Sequence, residues 1–201
     1  MADEELQLIR TQTASLVGRR ELLQALVGAA VALPALAADH PLRRHAENGA
    51  ALDQAEKKTR AADWKPEFLD KHQFATLQSL AERIVPGSTR AKVSEFVDQL
   101  LVVDSPENQR KFLGALATFD GQGLARANRP WLQLTESDQL AVLTEASTLE
   151  TGTGLRDQFD LLKGWIAGAY YSSEIGMKEL GWTGMSLFQS YPGCEHPGGH
   201  S

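Results

Sequence analysis

The chain has 201 residues, 42% of them hydrophobic and 23% charged, proportions of a folding sequence with room for one domain and some flanking chain. A net charge of −6 and the lack of any long basic run exclude a general nucleic-acid binder, which needs a cationic face to neutralise phosphates. One cysteine, Cys194, excludes an internal disulfide, a Cys-x-x-Cys redox pair, a c-type haem attachment and an iron–sulfur site, so any redox cofactor would belong to a partner.

The first element in chain order is an address. Leu22 to Ala38 is an uncharged, Ala-rich run of 17 residues, short of the ~20 that a spanning helix needs. Pro34 precedes Ala35-Leu36-Ala37, a small-x-small pattern of the kind a signal peptidase accepts. The paired Arg19 and Arg20, followed by Glu21-Leu22-Leu23, resemble a twin-arginine (Tat) export signal. Leu22 stands where Phe is commoner and Gln24 where Lys is. Residues 1–37 are therefore expected to be a Tat-like signal segment and the mature protein to be periplasmic.

Residues 38–65 are polar, mixed in charge and poor in large apolar side chains, which reads as a linker with transient helix. A helical domain is expected from Pro66 onward, with Pro66 at a first helical position and Phe68, Leu69, Leu77, Leu80, Ala81 and Ile84 at helical spacing up to Pro86-Gly87. Val93, Phe96, Val97, Leu100 and Leu101 form the next apolar face. Ser105-Pro106 opens a third helix through Phe112, Leu113, Leu116 and Phe119, which Gly121 and Gly123 are expected to end. Thr135 to Asp138 resembles a capping box ahead of Leu140, Leu143 and Ala146. A fifth helix is expected from about Leu155 to Tyr171, carrying Phe159, Leu162, Trp165, Ile166 and Ala169. No alternating strand pattern interrupts the series, and the fold class is all-α: one irregular domain over 66–201, of about five helices with an extended tail.

From Glu174 the chain is rich in glycine and aromatic residues. Trp165, Tyr170 and Tyr171 on the fifth helix, with Trp182, Phe188 and Tyr191 in the tail, are candidate partner-interface residues, because rings in such a tail need a surface to cover them. Gly164-x-x-x-Gly168 suits close contact between helices or subunits. No Gly-x-Ser-x-Gly elbow or His-Glu-x-x-His zinc helix occurs, and the pairs Gly121–Gly123 and Gly152–Gly154 lack a third glycine. Cys194, His196 and His200 leave three readings open: a free thiol, a metal site, or an intersubunit disulfide through Cys194.

The segments Gly168 to Gly176 (GAYYSSEIG), Glu179 to Gly184 (ELGWTG) and Pro192-Gly193-Cys194, with Leu80 to Gly87 (LAERIVPG) upstream, resemble the gluconate 2-dehydrogenase subunit 3 family. Ala169 departs from it, standing where a second glycine often sits. The resemblance covers roughly Phe68 to Cys194. It implies an accessory, non-catalytic small subunit of a periplasmic dehydrogenase for sugars or sugar acids. The partner it implies is a large FAD-dependent (GMC-type) flavoprotein, with a cytochrome c subunit often taking the electrons; no cofactor is expected in this chain. It also implies that the Tat signal escorts the folded partner across the membrane. A subunit contributing directly to the active site, and a stand-alone periplasmic metal-binding protein, are the competing readings.

Overall fold

The computed structural model describes residues 42, 45, 48–61 and 63–182. Among them run seven α-helices and one 3-10 turn, with no strand. The helices are α1 (Gly49–Thr59), α2 (Lys71–Ile84), α3 (Val93–Val102), α4 (Pro106–Ala127), α5 (Glu136–Thr148), α6 (Gly154–Tyr171) and α7 (Glu174–Glu179); the 3-10 turn, Trp131–Gln133, follows α4. The fold is all-α. None of the described helices is long and apolar enough to cross a membrane.

The centre is α6, which packs against α2, α3, α4, α5 and α7. Its buried residues, Phe159, Leu162, Trp165, Ile166, Ala169 and Tyr170, recur at three- and four-residue steps, and each step returns a side chain to the same face. Phe112 of α4 meets the Trp165 ring edge-on at 5.5 Å, and Phe119 meets Trp131 in the same way at 5.7 Å. Rings of this size bury more apolar area per residue than the aliphatic side chains around them, each Å² contributing about 25 cal/mol.

Two expected helix starts form as read. Ser105 accepts the Asn108 N–H at 3.3 Å with Pro106 in the first turn, and Thr135 accepts the Asp138 N–H at 3.2 Å. Pro66 is not a helix start. The second helix opens at Lys71, where Asp70 and Gln73 cap each other's backbone N–H reciprocally. Residues 67–69 form bends instead, because the carboxylate of fully buried Asp98 accepts the N–H groups of Glu67, Phe68 and Leu69 at 2.8, 3.2 and 2.8 Å. One side chain of α3 thus satisfies three donors that a helix would have paired internally.

Gly121 and Gly123 do not end α4, which runs on to Ala127 and stops at Asn128 in the left-handed conformation (φ 53°). Gly123 serves the return of the chain: a Cβ there would lie 2.5 Å from the Arg129 carbonyl oxygen. The linker expected over 38–65 contains α1, capped by Asn48. Its few apolar residues lie on one face, so that Leu52, Ala55 and Thr59 are buried and the helix packs on α3. Upstream of it, Leu42 and His45 are buried too, with the His45 ring 5.7 Å from that of Trp165. Tertiary packing stabilises an 11-residue helix that would be marginal alone.

Candidate partner-docking corner

The two stretches that carry the sequence resemblance are about eighty residues apart in the chain, and they meet in space. The first ends in the turn after α2. There Glu82 accepts the N–H groups of Gly87 and Thr89 at 2.7 and 2.8 Å, and these two bonds hold its carboxyl below the usual carboxylate range. Gly87 has φ +92°, open to a residue without Cβ, and a Cβ added there would stand 3.2 Å from the Tyr170 hydroxyl.

The second stretch is the α6–α7 corner. Tyr170 is 1% exposed, and its hydroxyl donates to Glu179 Oε1 at 2.8 Å. Burial first, and then the Glu179 carboxylate, push the phenol up to about 12. The corner is tight. Ser173 donates to the Tyr170 carbonyl at 2.6 Å and accepts the Gly176 N–H at 3.1 Å, while a Cβ on Gly176 would clash with that same carbonyl. The turn that follows has Gly181 at φ +79°, and the Trp182 N–H reaches back to the Met177 carbonyl at 3.1 Å. Tyr170 is therefore clamped between Gly87 on one side and α7 on the other.

This joint separates the aromatic candidates into two groups. Trp165 and Tyr170 are not surface residues; at 2% and 1% exposed they belong to the chain's own core, where the helical period of α6 turns them. Tyr171, the next residue, points outward and is 38% exposed; Leu180, just past α7, is 66% exposed; Trp182 is half-buried. Gly164 and Gly168 are half-buried on α6. Part of the stretch expected as a tail, Glu174–Glu179, is the helix α7. Arg19, Arg20, Phe188, Tyr191 and Cys194 lie outside the described residues, as do His196 and His200. Among the described residues no group of three or more His, Cys, Asp or Glu side chains is placed to hold a metal ion.

Sequence reasoning missed Glu82, Asp98 and Glu179. Only Glu82 had a signal, an acid placed just ahead of a Pro-Gly turn whose N–H groups need an acceptor. Asp98 sits mid-helix in an apolar run, and nothing local shows that its partners lie some thirty residues upstream.

Residues 71–188 match the family model described as gluconate 2-dehydrogenase subunit 3. The matched stretch includes both sides of the Tyr170 joint and leaves out α1. No match is found among curated proteins or among solved structures.

Proposed function

The chain belongs to the gluconate 2-dehydrogenase subunit 3 family, and from that premise we propose that it is a non-catalytic small subunit that stabilises a periplasmic FAD-dependent sugar or sugar-acid dehydrogenase and escorts it through Tat export. The family's description, a subunit of gluconate 2-dehydrogenase, supports a role as part of a dehydrogenase complex. The partner in this reading is the large GMC-type flavoprotein, with FAD bound there, and a cytochrome c subunit receives the electrons.

The observation that carries the proposal is the match from α2 through α7, across the joint that fixes the α6–α7 corner. That joint supports exposed Tyr171 and Leu180 on a rigid base, which lowers the ordering cost of docking. The export half rests on Arg19, Arg20 and the uncharged run from Leu22 to Ala38.

The test is co-expression of this chain with the large flavoprotein subunit. The expected result is co-purification of the two with a flavin absorbance spectrum, and loss of both from the periplasm in the Arg19→Lys, Arg20→Lys double variant. Continued export of the partner beside that variant would remove the escort role, and failure of the wild-type chains to co-purify would remove the subunit role.

A further inference from the structure

Beside the α6–α7 corner lies a cleft of about 210 Å³. One wall is the end of α1 (Glu56, Thr59, Arg60); the others are the turn before α3 (Arg90, Ala91, Lys92) and the corner itself (Ser172 to Ile175). Pockets for cofactors and drug-sized molecules run to about 300–1,000 Å³, so this cleft has room for one inserted side chain.

Its charges divide unevenly. Arg60 is engaged by Glu56 at 2.6 Å, and Glu174 by Lys178 at 2.7 Å. The Lys92 ammonium donates to the Thr59 carbonyl at 3.0 Å, closing the end of α1. The hydroxyls of Ser172 and Ser173 donate to the α6 carbonyls of Ala169 and Tyr170. Arg90 differs: it is exposed, its charge acts through space on Glu82 and Tyr170, and no described residue forms a hydrogen bond or ion pair with it. Both carboxylates on the cleft wall are ion-paired, and with Arg60, Arg90 and Lys92 against Glu56 and Glu174 the wall carries an excess of positive charge.

We propose that this cleft is a docking slot for a carboxylate side chain of the dehydrogenase subunit, with Arg90 as the receiving cation; the exposed Tyr171 directly precedes the Ser172 wall in the chain. The proposal rests on the subunit reading above and deepens it by naming the chemistry of the contact. Charge complementarity favours the occupant: a side-chain-sized slot lined by three cations and two ion-paired carboxylates selects an acidic group, although the chain as a whole is negative. A guanidinium can meet a carboxylate through two parallel N–H donors, which also fixes the angle of approach.

The test measures binding of the wild-type dehydrogenase subunit to full-length variants of this chain, with melting curves to confirm folding. Arg90→Glu is expected to weaken binding by tenfold or more, and Arg90→Gln by less. Arg110→Glu, an exposed charge reversal outside the cleft, serves as the control and is expected to change binding less than threefold. Equal effects of Arg90→Glu and Arg110→Glu, or no effect of either, would overturn the slot while leaving the subunit reading intact. Binding of sodium gluconate to the isolated chain, lost in Arg90→Gln, would place a free carboxylate in the cleft and also overturn it. Failure of the wild-type chain to bind the dehydrogenase would bring down the subunit reading and the slot together.

Discussion

Gly176 rests on the carbonyl group of Tyr170 more closely than any side chain would allow: a Cβ at this position would lie 2.8 Å from the Tyr170 carbonyl carbon and closer still to its oxygen. The obstacle is backbone and cannot swing aside. Gly176→Ala is therefore expected to destabilise the fold by about 1–3 kcal/mol, as overpacking does. Gly114, on the exposed side of α4, has nothing within 4 Å of its added Cβ. There alanine is expected to add about 0.5–1 kcal/mol, through helix propensity and a less free unfolded chain. Paired urea titrations would test both; two shifts of the same sign would contradict this reading of the corner.

Asp98 is the second position with a sharp expectation. Its removal leaves the N–H groups of Glu67, Phe68 and Leu69 without their acceptor. Of the three bonds only that from Leu69 is buried, and a buried unsatisfied donor costs about 1–3 kcal/mol, so Asp98→Ala is expected to lose at least about 1–3 kcal/mol. Asp98→Asn keeps one acceptor oxygen and should fall between the two. Native-state hydrogen exchange would localise the loss: in the wild type these three amides should be protected although they lie outside any helix.

The Tyr170–Glu179 bond predicts a response to alkali. The phenol is raised to about 12 in the fold, against 10 for an ordinary tyrosine, so its contribution is complete below pH 10 and is lost as pH rises through about 12. Tyr170→Phe is expected to lower stability near pH 7 by about 1–3 kcal/mol through loss of a hydrogen bond to a carboxylate. The same variant should show a shallower decline between pH 10 and 12. Thermal melts of both proteins across that window would measure the difference, and parallel declines would refute the assigned shift.

Neighbouring aromatic residues should separate stability from assembly. Trp165→Ala is expected to cost about 3–5 kcal/mol as a core deletion. Tyr171→Ala should cost no more than about 1.5 kcal/mol, the scale of its edge-on contact with Tyr170 at 5.2 Å, while weakening capture of the dehydrogenase subunit. Chemical denaturation and co-purification, run on both variants, would test the division.

Much of the fold was legible because its signals are local. Ser105-Pro106 and Thr135 carry their caps within three residues, and the period of Phe159, Leu162, Trp165 and Ile166 describes α6 directly. What misled were residues whose partners are distant. Pro66 resembled a helix start because Asp98, which holds the next three residues out of a helix, lies about thirty positions away. Gly121 and Gly123 resembled a helix end, whereas Gly123 is small to let residues 129–131 pass. Periodicity could identify Trp165 and Tyr170 as one face of α6, but it could not say whether that face met this chain or another. The cleft was beyond reach, since its walls come from three separated segments.

If the cleft receives the dehydrogenase subunit as proposed, the position of α1 bears on how related complexes stay apart. One wall of the cleft, Glu56 to Arg60, comes from outside the family-matched residues, and the facing walls come from inside them. Its inward face, Leu52 and Ala55, ties α1 to the core, while Glu56 and Arg60, paired with each other, form the cleft wall and make no hydrogen bond to the joint at Tyr170. In a cell holding several such pairs, substitutions on this one helix could reject the wrong dehydrogenase by clash or like charge and leave the shared body intact.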